Sequence, residues 1–107
     1  ELEEGFNYYI QTAEKHNLKV FAGTLLPIFG WRTYAPFRED MKNAFNDWLR
    51  KKCGADGCID FDKALRSNKN RAAFADKFDS GDHLHPSEEA YKVMAQLAFE
   101  NITKLSF

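Results

Sequence analysis

The sequence predicts an α/β domain built on a parallel sheet. Two observations carry this. Segments of helical period and short apolar runs alternate in the order helix, strand, helix, strand, helix, the pattern of strands joined by crossover helices. The first apolar run, LKVFAGT (18–24), is nearly continuous rather than alternating, as in a parallel strand covered on both faces. Two strands are few for such a sheet, which averages about five or six. The 107 residues therefore read as the C-terminal half of an α/β domain.

The first helix is expected over 2–16, where Leu2, Phe6, Tyr9, Ile10 and Ala13 draw one apolar stripe. Asn17 supplies a left-handed stop, and the strand at 18–24 follows. An aromatic-rich loop, LLPIFGWRTYAP, leads to Pro36, a residue suited to a first helical turn. The second helix runs to about Lys52 with the stripe Phe37, Met41, Ala44, Phe45, Trp48 and Leu49. Its opposite face holds Glu39, Asp40, Lys42, Asn46, Asp47 and Arg50. A second strand is expected over 57–61. After it comes a long connection with one or two helical turns, a length that usually signals function. Ser87 is placed to cap the last helix, with Glu88 and Glu89 in its first turn. That helix carries Ala90, Val93, Met94, Leu97, Ala98 and Ile102 on one side.

Composition removes several classes of function. Fifteen basic and sixteen acidic residues give a net charge of −1, and Arg50, Lys51 and Lys52 form the longest basic run. A nucleic-acid footprint is not expected from this balance. No apolar run is long enough to span a bilayer. The opening ELEEGFNYYI begins inside a helix and without methionine, which points to a preceding N-terminal segment. Cys53 and Cys58 fit either a local disulfide, which would favour an exported or periplasmic protein, or two small apolar residues beside a strand.

The chemistry is concentrated in DSGDHLHPSE (79–88). Open parallel sheets bind ligands at the carboxyl ends of their strands, and this loop should lie near that edge. Asp82 and His85 stand in a D-x-x-H spacing before Pro86. An aspartate that accepts a proton from imidazole Nδ1 fixes the tautomer and stabilises the imidazolium formed when Nε2 takes a proton. Alone, that spacing is a weak signal.

The stretch DSGDHLHPSEEAYKVMA resembles the last conserved block of the SGNH hydrolases, the GDSL-type lipases and esterases. The matching positions are Asp82, His85, Pro86, Tyr91 and Ala95, with Ala90 where the family often has glycine. GTLLPIFG, FREDMKNAFNDWLRKK and GCIDFDKAL are similar to the family's preceding segments, in family order. The resemblance implies a three-layer α/β/α flavodoxin-like fold, with residues 1–107 as the C-terminal part of a single domain. It implies ester hydrolysis without a cofactor or metal, His85 as general base and Asp82 as its orienting partner. Expected substrates are acyl lipids or acetylated carbohydrates. The family's nucleophilic serine, in a G-D-S block, and its glycine and asparagine oxyanion donors lie N-terminal to this region. An N-terminal segment of the same protein is thus the expected partner.

Other readings were open at this level. Ser80 belongs to DSGD rather than G-D-S and is better used within the turn. His83 reads as solvent-facing, or with His85 and nearby acids as a small metal-binding module. An inert chain that pairs with an N-terminal fragment is the third class. Asp60 and Asp62 read as flanking a strand end. Phe29, Trp31 and Tyr34 either line an acyl or sugar pocket or cover the core.

Overall fold

The computed structural model describes residues 1–52 and 54–104. Helix α1 (Leu2–Lys15) leads to strand β1 (Phe21–Gly23), then helix α2 (Pro36–Lys52) and strand β2 (Gly57–Ile59). A short helix α3 (Phe61–Leu65), a 3-10 turn (Asp76–Phe78) and helix α4 (Glu88–Thr103) complete the chain. The two strands pair in parallel, with Phe21 beside Gly57, Ala22 beside Cys58 and Gly23 beside Ile59. This is an α/β fold with a parallel sheet, as the alternating order predicts.

Boundaries differ where backbone groups are claimed by side chains. Asn17 is left-handed (φ 58°), as expected for the stop of α1. The strand at 18–24 shrinks to three residues: the Thr24 amide still donates to the Ile59 carbonyl at 3.1 Å, but the Leu25 amide and carbonyl are taken from the side. Asn46, fully buried on α2, accepts from the Leu25 amide at 2.8 Å and donates to the Leu25 carbonyl at 2.9 Å. The second strand stops before 61 because Asp60 caps α3, accepting from the Lys63 amide at 3.0 Å.

Packing also corrects the expected face of α2. Its buried residues are Lys42, Asn46 and Leu49, whereas Phe37 and Met41 are exposed. Phe45 and Trp48 instead turn toward α1, where the Phe6 ring lies edge-on to both at 6.2 and 5.9 Å. Lys42 and Asn46 go inward because the far side offers them partners. Asp62, 1% exposed, meets Arg50 at 2.9 Å, Arg66 at 3.2 Å and Lys42 at 3.8 Å. Arg50 also grips Asp60 through two nitrogens at 2.7 and 2.9 Å. Asp60 and Asp62 therefore tie the end of β2 to α2.

A compact apolar core lies on the other side. Leu65, Phe74, Phe78 and Ala90 are buried together, with Leu26, Val93 and Met94 packed against them. Helix α4 closes over β2 and α3. Outside this core, Tyr8, Tyr9, Phe37 and Phe99 remain mostly exposed. The Cα radius of gyration is 14.7 Å, against about 13 Å for a compact domain of this length. No helix among the described residues is long and apolar enough to cross a membrane. The Cys53–Cys58 pairing lies outside the described residues.

Candidate active site

Residues 79–87 form a loop closed at its neck. Asp79 and Pro86 make an antiparallel bridge, and the Ser87 amide donates to the Phe78 carbonyl at 2.9 Å. Ser87 also caps α4 as expected: its Oγ accepts from the Ala90 amide at 3.2 Å and donates to the Lys77 carbonyl at 2.7 Å. The neck thus rests on the 3-10 turn and on the start of a long helix, so the loop is short, anchored and surface-exposed.

Within it, the structure brings Asp82 and His85 together. His85 Nδ1 lies 2.6 Å from Asp82 Oδ2. A carboxylate only accepts, so this contact assigns the proton to Nδ1 and leaves Nε2 as the basic nitrogen. The other carboxylate oxygen is held by the loop itself. Asp82 Oδ1 accepts from the amides of Leu84 (2.9 Å) and His85 (2.8 Å) and from Ser80 Oγ (3.0 Å). The imidazole of His85, its amide and the Leu84 amide together hold the Asp82 carboxyl well below the usual carboxylate range. Asp82 therefore stays an acceptor at every physiological pH.

Ser80 is accounted for by this geometry, because its hydroxyl points to Asp82 rather than to His85. Ser67 Oγ accepts from the Lys69 amide, and Ser87 caps α4. The three described serines thus all serve local turns and caps.

His83 is solvent-exposed, as expected. It is also half of a second pair that the sequence reading does not single out, with Nδ1 2.6 Å from Asp79 Oδ2. Asp79 Oδ1 accepts from the amides of Gly81 (2.8 Å) and His83 (3.0 Å). Burial pushes the Asp79 carboxyl up, but these amide bonds and the His83 ring outweigh it and leave it below its ordinary value. The two imidazoles are each claimed by a different carboxylate. Among the described residues no three His, Cys, Asp or Glu side chains gather as a metal-ligand group. The signal for the second pair was present in the sequence as D-x-x-x-H, but only the left-handed backbone of His83 (φ 63°) turns its ring back to Asp79.

A cleft of about 510 Å³ opens beside the loop. Leu84 lines it with the apolar Leu2, Leu25, Leu26, Ile28 and Met41 and the charged Arg38, Glu39 and Lys42. The lining is thus mostly aliphatic, with charges contributed by α2. Phe29, Trp31 and Tyr34 do not line it. Phe29 packs edge-on to Tyr34 at 5.0 Å, and Trp31 sits under Arg32.

Comparison with known proteins adds a family and a fold. The family model described as GDSL-like lipase/acylhydrolase matches residues 1–98. The structure resembles that of a candidate acylhydrolase from Bacteroides fragilis, with 24% identity and a TM-score of 0.68, over 89% of this chain and 47% of that one. It also resembles a GDSL-like lipase from Bacteroides thetaiotaomicron, with 20% identity and a TM-score of 0.70, over 88% of this chain and 47% of that one. The chain thus spans about half the length of these solved structures. No curated protein matches it.

Proposed function

The chain belongs to the GDSL-like lipase/acylhydrolase family, and from that premise we propose that it supplies the general base and its orienting acid to a serine ester hydrolase. The observation that carries this reading is the 2.6 Å contact between Asp82 and His85 Nδ1, made by a carboxylate whose other oxygen is fixed by backbone amides. His85 Nε2 takes the proton of an attacking serine hydroxyl, and Asp82 holds the imidazole in the productive tautomer and stabilises its cation. His85 then returns the proton to the departing alcohol. Water repeats the sequence on the acyl-enzyme and releases the acid.

The nucleophile and oxyanion donors come from an N-terminal segment of the same protein, with residues 1–107 as the C-terminal part of one domain. Two features support this division. The described serines are all used in turns and caps, and the chain covers 47% of each similar structure while leaving large apolar side chains exposed. The substrate is an ester of an acyl lipid or an acetylated carbohydrate. The mostly aliphatic lining of the cleft beside Leu84 suits the acyl group, and Arg38, Glu39 and Lys42 offer polar contacts at the same cleft.

Fluorophosphonate labelling of the complete protein tests the reading. Label is expected on a serine N-terminal to residue 1, and His85→Ala should slow labelling by about 1,000-fold. Labelling of Ser80, or an undiminished rate in the His85 variant, would sink it.

A further inference from the structure

We propose that His83 is a positioning residue for this hydrolysis: tethered by Asp79 and seated on Gly30, it fixes the loop that carries Asp82 and His85 against the loop that leaves β1. The inference rests on the reading of Asp82 and His85 given above.

Three observations converge on it. His83 adopts a left-handed backbone (φ 63°), which is strained for a non-glycine residue and persists only where neighbours hold it. Asp79 provides the hold. It takes both the amide and the Nδ1 proton of His83, and the Gly81 amide as well. The third observation is a close approach that only glycine permits. A Cβ added to Gly30 would stand 2.8 Å from Cγ and 2.9 Å from Cδ2 of His83. Gly30 itself has φ +97°, so neither its shape nor its backbone suits another residue.

Gly30 belongs to the segment between β1 and α2, whose Phe29 amide donates to the Ala72 carbonyl at 3.0 Å. His83 therefore joins the active-site loop to an anchored neighbour at one point. His85 is two residues further on, and Leu84 between them lines the mostly aliphatic cleft. A shift of the His83 backbone displaces the base relative to that cleft. The imidazole of His83 needs no contact with substrate for this, since it acts through His85.

The test compares His83→Ala, His83→Asn and Gly30→Ala with the complete parent protein, using p-nitrophenyl acetate and counting active sites with a fluorophosphonate. Asparagine carries an amide nitrogen on Cγ where histidine carries Nδ1, and it tolerates left-handed backbone. His83→Asn thus retains the Asp79 tether. Misplacing a reacting group by about 1 Å costs on the order of 100-fold, so kcat per titrated site should fall by about 10- to 100-fold in His83→Ala. KM should stay within about twofold, because ground-state binding is untouched. His83→Asn should restore most of kcat, and Gly30→Ala should reproduce the loss.

A residue that merely stabilised the fold would lower the number of titrated sites and leave the rate per site alone. An undiminished rate per site in His83→Ala overturns the proposal. If that variant does not fold, an undiminished rate in Gly30→Ala overturns it instead. Asparagine as impaired as alanine would remove the Asp79 tether. His85→Ala separates the two levels. Parent-like activity in His85→Ala ends the hydrolase reading and the positioning role with it. An inactive His85→Ala beside a parent-like His83→Ala ends the positioning role only.

Discussion

Asp62 and Asp82 both face cationic or cationisable partners, yet they sit in opposite surroundings. Asp62 is 1% exposed and lies among Arg50, Arg66 and Lys42. Asp82 is 40% exposed and has one such partner, His85. The partners of Asp62 are two guanidinium groups and an ammonium, which only donate, so the cluster holds elements together. Around Asp82 the partner is an imidazole with a basic nitrogen to spare, and backbone amides rather than burial keep the carboxylate in place. An acid held by the loop itself stays accessible to solvent. An acid held by burial joins β2, α2 and α3.

The contrast breaks if the two aspartates respond alike to mutation. The largest effect is expected from Asp82→Asn. The asparagine oxygen would keep the Leu84 and His85 amides, which turns its NH₂ toward His85 Nδ1. The imidazole must then carry its proton on Nε2 and cannot accept another. Turnover of p-nitrophenyl acetate should fall by about 100- to 10,000-fold, with little change in melting temperature because the residue is exposed. Asp62→Ala should do the reverse. It takes from Arg66 the acid it bonds and weakens the hold on Arg50 and Lys42, which keep Asp60, Asp47 and Glu39, and removing one partner of a buried ion pair costs about 3–5 kcal/mol. Urea unfolding should report that loss, while kcat per titrated site in the folded fraction stays at the parent value. A stable Asp62→Ala, or an active Asp82→Asn, would erase the distinction.

How much of this contrast the sequence disclosed follows from what each feature depends on. The alternating order of elements and the spacing of Asp82 and His85 are local, and both survive in the structure. The cap at Ser87 and the stop at Asn17 are local too. The face of α2 was not legible. Helical period alone favours Phe37 and Met41 over Lys42 and Asn46, but Asp62 and the Leu25 backbone, 16 or more residues away in sequence, draw the polar residues inward. The His83 pair was hidden for a related reason. Its spacing reads as an exposed turn until a left-handed residue and a glycine from a distant loop bring the ring onto Asp79 and Gly30. Sequence pattern reports what the chain does within a few residues: the pair of His83 with Asp79 lies within that reach, whereas the face of α2 and the seat of His83 on Gly30 turn on contacts across the fold.

Acid titration sharpens the comparison at a smaller scale, through Asp60. Burial raises its carboxyl, but the paired bonds from Arg50 outweigh this and leave it below the ordinary value. A carboxyl depressed on folding contributes stability at any pH above its unfolded value of about 3.9, and loses it as pH falls toward the folded value. Melting temperature should therefore decline below about pH 4, in the range where Asp60 takes a proton. Asp60→Asn should lie below the parent at pH 7, since Arg50 loses its bidentate partner, and the gap should close as pH falls. Asp82 has a depressed carboxyl as well, but it is exposed and bonded only within its own loop and to His85, so Asp82→Asn should follow the parent curve closely. A gap for Asp60→Asn that persists to pH 2 would mean that Arg50 is held by packing rather than by charge. A closing gap for Asp82→Asn as large as that for Asp60→Asn would place both acids in the same structural role.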